Sequence, residues 1–388
     1  MDLIVTAKQL FTPLERIEHP LVFVEDGKIV EVVSREAREA SRGTRLLDFG
    51  DACLAPGFID VHVHGGGGHD VMEADPSGLN AVEQLLHRHG VTSYLPTTIT
   101  APLDETLKAV ERLANAIESA GPSKDKAPRA RPVGIHLEGP FISHIRRGVH
   151  PPENILPPTV ETFQKLWEAS RGCVKLITIA PEVEGARAVI AEATARGVCV
   201  SMGHSDADLK AAQDGVSAGA RHATHTFNAM RPLNHRDPGI LAVVLMDDRV
   251  SAEIIVDGIH VDPVIVQLFL RAKGAEGAVL VTDGTAATGM PNGHYRLGSL
   301  DVEVNDGKCT SDGKLAGSVL TMDKAVQNVM KFANCDLQNA VRLATLNPAR
   351  TAGVAPQSGT ITVGAFADMV ALSPRGEVRT TIVRGEVA

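Results

Sequence analysis

Aromatic side chains are scarce in this chain: of 388 residues one is Trp, two are Tyr and ten are Phe. Carbohydrate-binding modules and RNA-stacking surfaces depend on exposed rings, so both classes are disfavoured. Surplus positive charge is also missing. Lys and Arg number 38 against 47 Asp and Glu, a net charge of −9, whereas a nucleic-acid backbone demands a dense cationic field. A small phosphorylated substrate needs only a local cation or two and stays open. The five cysteines, Cys53, Cys173, Cys199, Cys309 and Cys335, form no CxxC pair. Their odd number and wide spacing argue against a disulfide framework and for a reducing compartment. No apolar run approaches the roughly 20 residues of a membrane helix. The opening MDLIVTAKQLFTPLER has no basic flank leading into an apolar core, so no signal peptide is read there. A cytoplasmic protein with no membrane or nucleic-acid partner is the expectation.

What the chain does contain is alternation. Residues 1–52 read as short strands, with Asp26-Gly27 between the apolar runs of HPLVFVEDGKIVEVV, a strong hairpin signal. The C-terminal segments GTITVGAFADMVALSP and VRTTIVRGEVA have the same Gly-punctuated style. The expected arrangement is a small β-sandwich built from both termini, 1–52 plus 356–388, flanking a catalytic domain over 53–355. In that middle part eight apolar runs recur: 54–64, 91–99, 132–140, 174–182, 198–205, 221–230, 251–261 and 278–284. Segments with helical spacing, such as LDETLKAVERLANAIESA, separate most of them. Eight such units are what an α/β fold of the (β/α)8 TIM barrel type requires. A doubly wound sheet also alternates, but it would not end nearly every strand in a polar functional residue. Here the ends read His62/His64, Thr97/Thr98, Glu138, Glu182, His204, His225/Asn228, Asp257/His260 and Asp283. The charged stretch GPSKDKAPRARP, 121–132, reads as a solvated loop.

In a barrel these ends share one mouth. His62 and His64 lie two apart in an extended run and face the same way; alone, such a pair is more often a packing feature than a metal site. Glu138 closes HLEGPF and needs a cation or donors if buried. With His204 of MGHSD and His225 of THTFNAM it makes a Glu/His/His set, the composition of a catalytic divalent-metal site with room for water. Asp283, in VLVTDG, is placed to move a proton to and from that water.

Together PGFIDVHVHG, GVTSYLPTTIT, GIHLEGPFI, SMGHSDAD, THTFNAMRPLNHRDPG, DGIHVDP, LVTDGTAATG and LAGSVLTM resemble the N-acetylglucosamine-6-phosphate deacetylase family of the amidohydrolase superfamily. That resemblance implies deacetylation of an amino-sugar phosphate, with Glu138, His204 and His225 as main metal ligands and Asp283 as acid/base. It implies one ion, Zn²⁺ or Fe²⁺, or two bridged by Glu138, since His62 and His64 match a second site found in some members. Substrate contacts fall on Asn228, Ala229, Arg236, His260, His150 and the Ala316-Gly317-Ser318 segment. A homodimer is implied as well, with Arg236 reaching the neighbouring subunit's site; Arg suits planar, multidentate phosphate recognition. The galacto epimer of the substrate and other superfamily amides are the alternatives. Relatives bridged by a carboxylated Lys on the fourth strand fit less well, because Lys175 stands at the start of that run.

Overall fold

The computed structural model describes residues 2–37, 44–120 and 127–387; residues 121–126 of the expected solvated loop lie outside them. Eight parallel strands build a nearly closed barrel: Phe58–Val63, Val91–Thr98, Ile135–Glu138, Val174–Ile179, Cys199–Met202, His222–Ala223, Ser251–Ile255 and Ala278–Val281, paired in that order. The two-residue strand Arg131–Pro132 sits beside the second. Closure between first and last strands occurs at the functional residues themselves. Asp283 N donates to His62 O at 2.9 Å, and His64 N donates to Gly284 O at 2.7 Å. Every run expected to be a barrel strand contains one, since most are rich in apolar residues on a sheet covered on both faces.

Helices follow the strands around the outside. Leu103–Ser119 shows why they form: its buried residues Thr106, Ala109, Val110, Leu113 and Ala114 recur at helical spacing and make one apolar stripe against the barrel. Asp75, Asp208, Asp262 and Asp336 cap the N-termini of four others by accepting backbone N–H groups, which satisfies donors that the helix cannot. Among the described residues no helix is long and apolar enough to cross a membrane.

The two chain ends build two sheets and meet in the larger one. One has four strands, from Leu3–Thr6 to Arg45–Asp48; the other has six and joins Gln9–Phe11 and Cys53–Pro56 to Met369–Leu372 and Val378–Val383. Leu3, Val5, Leu10, Val22, Leu54, Met369 and Ile382 form their common buried cluster. Cys53–Pro56, just past the expected limit at residue 52, belongs to the terminal sheet through its pairing with Met369–Leu372. The hairpin at Asp26-Gly27 has both turn residues at positive φ, +48° and +70°, the geometry of the tight turn that matches strand twist. After the eighth strand an antiparallel sheet, Gly293–Leu297 to Lys314–Leu315, packs Leu297, Val302 and Cys309 with Met72 and Ile99. It delivers the chain to Ala316, Gly317 and Ser318.

Candidate active site

Six side chains converge at the C-terminal mouth. His62 is near the end of the first strand and His64 just past it. Glu138 ends the third, and His204, His225 and Asp283 lie just beyond the fifth, sixth and eighth. All six are buried. His204, His225 and Asp283 have φ of +46°, +25° and +52°, a region non-glycine residues seldom occupy. Such conformations persist only where surrounding contacts hold them, and they gather at functional sites.

Glu138 is the hub. Its Oε1 lies 3.0 Å from His225 Nε2, 3.1 Å from His204 Nε2 and 3.5 Å from His62 Nε2, while Oε2 lies 3.3 Å from His64 Nε2. Asp283 Oδ1 approaches His64 Nε2 at 3.2 Å and His62 Nε2 at 3.5 Å. The far ring nitrogens determine what this space accepts. His64 Nδ1 donates to the Thr97 carbonyl at 3.1 Å and His204 Nδ1 to the Arg146 carbonyl at 3.0 Å. A carbonyl only accepts, so both rings carry hydrogen on Nδ1 and turn a bare Nε2 lone pair inward. Lone pairs facing carboxylate oxygens at hydrogen-bond distance repel unless a proton or a cation lies between them. Imidazole nitrogen with carboxylate oxygen is the donor chemistry of Zn²⁺ and Fe²⁺ sites. His62, His64 and Asp283 form one group close enough to hold an ion; Glu138, His150 and His204 form another.

His150 differs from the rest. Thr100 N donates to its Nδ1 at 3.4 Å and Thr100 Oγ1 lies 2.8 Å from the same nitrogen; with Nδ1 accepting, the hydrogen is on Nε2, 3.5 Å from Glu138 Oε2. It faces the cluster as a donor and not as a ligand.

Burial opposes charge throughout the cluster, yet its two carboxylates are held ionised. Burial would raise the Glu138 carboxyl, but the charge of His62 and hydrogen bonds from His150 and His225 keep it well below the usual range. Asp283 is likewise lowered against burial by His62 and His64, so it stays a carboxylate able to take a proton. Burial and the neighbouring His150 push His204 down to about 4. His64 goes the other way: against burial, hydrogen bonds to Asp283 and Glu138 lift it to about 9. Without a cation, His64 therefore carries a second proton below that pH, and an ion taking its Nε2 must displace it. Binding of Zn²⁺ or Co²⁺ should release about one proton per chain from this residue at pH 7, with affinity rising with pH and levelling off near 9. Titration in weakly buffered solution with a pH indicator measures this; binding without proton release would contradict it.

The other expected residues are distributed around the mouth. Ser318 N donates to Asp283 O at 2.7 Å and Ser318 Oγ to Thr282 O at 2.6 Å, so the 316–318 segment backs directly onto the end of the eighth strand. Gly317, at φ +57°, makes this approach possible, since a Cβ there would stand 2.9 Å from Asp283 O; Ala316 is buried beside it. Asn228 Nδ2 donates to His225 O at 3.3 Å, and the Ala229 carbonyl accepts from Ser205 N at 3.0 Å. His260 donates to Asp257 Oδ2 at 2.6 Å. Arg236 stands apart from the cluster of its own chain. It is exposed and lines a cleft of about 490 Å³ with Arg146, Arg231, Asp206 and Asp237. Lys175 packs over Gly134, where a Cβ would meet its Cγ at 2.2 Å, at the barrel end away from Glu138.

Residues not anticipated lie one layer behind. Glu253, in the seventh strand, accepts from His62 Nδ1 at 2.9 Å, His222 Nε2 at 3.1 Å and His225 N at 3.0 Å. The available signal was an acid in the middle of SAEII, where an unpartnered carboxylate would be too costly to bury. His136 is buried with Nε2 2.9 Å from Thr178 Oγ1, and burial holds its pKa well below the ordinary value.

A nearly closed parallel barrel with a buried His/Glu/Asp cluster at its C-terminal mouth fits the amidohydrolase class, and the Amidohydrolase family model matches residues 53–388. The N-acetylglucosamine-6-phosphate deacetylase of Bacillus subtilis (strain 168) is 38% identical over 380 residues, covering 98% of this chain and 95% of that protein. The Homo sapiens protein of the same name is also 38% identical, with 94% and 90% covered. Among solved structures, the N-acetyl-D-glucosamine-6-phosphate deacetylase of Mycobacterium smegmatis, an aspartate-to-alanine variant in complex with N-acetyl-D-glucosamine-6-phosphate, superposes with TM-score 0.91. It is 34% identical, with 99% of this chain and 98% of that one covered. The chain belongs to the amidohydrolase family and, within it, to the N-acetylglucosamine-6-phosphate deacetylases.

Proposed function

We propose that this chain hydrolyses the N-acetyl group of N-acetyl-D-glucosamine 6-phosphate, giving acetate and D-glucosamine 6-phosphate in amino-sugar breakdown. The observation that carries the reading is the convergence of His62, His64, His204 and His225 on Glu138 with ionised Asp283 against them. Zn²⁺ or Fe²⁺, one or two per chain, would be held by those residues and would supply the charge that polarises the amide carbonyl and acidifies water. Asp283 takes a proton from the attacking water and returns it to the departing 2-amino nitrogen. His150, with its hydrogen on Nε2, is a donor available to the substrate, and His260, whose Nδ1 donates to Asp257, offers an accepting Nε2. Incubation with N-acetylglucosamine 6-phosphate should yield acetate and free amine in equal amounts. Release from the galacto epimer alone would shift the substrate to that sugar, and no release from either would sink the reading.

The reading extends to a cytoplasmic homodimer in which Arg236 binds the phosphate at its neighbour's site, together with Asn228, Ala229 and the 316–318 segment of the chain that holds the cluster. Its support is that Arg236 is exposed and takes no part in its own chain's cluster. Arg236→Ala should raise KM for the phosphorylated sugar by about 10–100-fold, the scale of a charge-assisted hydrogen bond. Mixed with inactive Asp283→Asn, it should recover activity, since the mixed dimer holds one complete site; no recovery after subunit exchange would put the arginine in cis. The terminal sheets are proposed as a separate β-sandwich, residues 1–56 plus 356–388, around the barrel over 57–355.

A further inference from the structure

We infer that Glu253, braced by His222, is the positioning residue that lets the His62/His64 half of the centre hold an ion of its own. The inference rests on the cation reading proposed above. His64 and His204 are aligned by backbone carbonyls, which belong to the scaffold. His62 has no such carbonyl: its Nδ1 donates to Glu253 Oε2 at 2.9 Å. That oxygen also accepts His225 N at 3.0 Å, and Oε1 accepts from His222 Nε2 at 3.1 Å. His222 Nδ1 is in turn 2.6 Å from Ser251 Oγ. The carboxylate is fully buried and gathers donors from the first strand, the sixth and the turn just past the sixth, so it has no freedom to turn away.

Two consequences follow for the centre. A carboxylate on the far nitrogen of a ligand histidine fixes its ring and makes the near nitrogen a better donor. Glu253 does this for His62 in one group of ligands, and by holding the left-handed turn at His225 it also reaches the other. The two halves are thereby tied through one side chain. The effect on His62 acts through both charge and alignment. The effect on His225 acts through a backbone hydrogen bond, which any carbonyl oxygen can replace.

Glu253→Gln separates the two. The Gln oxygen can take the place of Oε2 on His62 and His225. Its amino group then faces His222, whose ring adopts the other tautomer with Ser251 as acceptor. The metal-free full-length protein is titrated with Zn²⁺ by calorimetry, and bound metal is counted after gel filtration. The wild type should take two ions per chain. Glu253→Gln should keep one at wild-type affinity and bind the other about 10–100-fold more weakly. Should that variant not fold, His222→Asn, which removes the brace from Oε1 and leaves the carboxylate in place, carries the same expectation. Two ions at wild-type affinity in the variant would overturn the inference. So would equal weakening of both ions with a lowered Tm, the mark of a merely structural acid. A wild type that binds one ion and still releases acetate would overturn it too while leaving the proposed activity intact; a wild type that binds none and releases none would fail both.

Discussion

Replacing Asp283 with Asn should lower kcat by about 10²–10⁴-fold, the usual contribution of a positioned acid/base, with KM and bound metal nearly unchanged. Asn retains an oxygen that can occupy the place 3.2 Å from His64 Nε2, and its backbone carbonyl still accepts from Ser318 N. It cannot take a proton from water or return one to the leaving nitrogen. The test pairs single-turnover acetate release with metal analysis of the same sample. A loss of metal matching the loss of rate would mean that Asp283 serves chiefly as a ligand. An active variant would remove it from proton transfer altogether.

Glu138→Gln should be the more damaging change, because it affects both halves of the centre. Five ring nitrogens lie within 3.5 Å of this carboxylate, from His150 and from both the His62/His64 pair and the His204/His225 pair. The amide removes the negative charge, and its amino group sets a donor against histidine nitrogens that should be ligating. Metal affinity should fall by more than about 100-fold, exceeding the loss typical of a group one layer out, and activity should fall with it. Excess metal should restore part of that activity, which it should not do for Asp283→Asn. Two variants with equal metal content would show that the division between ligand and base is drawn in the wrong place.

Much of this centre was legible in the sequence because a barrel delivers its strand ends to one place. Once VKLITI, AVLV and their counterparts read as strands, His62, Glu138, His204, His225 and Asp283 could be assigned to a common mouth without knowing any distance. Glu253 and His222 were hidden for a reason of geometry. Alternation says that a residue faces inward; which inward residues share a layer depends on the stagger between strands, and that stagger sets Glu253 against His62, 191 residues away. The sheet after the eighth strand also left a signal in the sequence. Its turns at Asp306-Gly307 and Asp312-Gly313 have the same positive-φ pairs as Asp26-Gly27. The roles of His150 and His64 could not be separated by residue type, since only the partner of the far ring nitrogen tells donor from ligand.

The most direct test is acetate release from N-acetylglucosamine 6-phosphate, its galacto epimer and unphosphorylated N-acetylglucosamine, before chelation, after it, and after Zn²⁺ or Fe²⁺ is restored. The proposal expects release from the first sugar, little from the unphosphorylated one, loss on chelation and recovery with metal. Release that persists in the fully metal-free protein, or none from any sugar with metal restored, would contradict it.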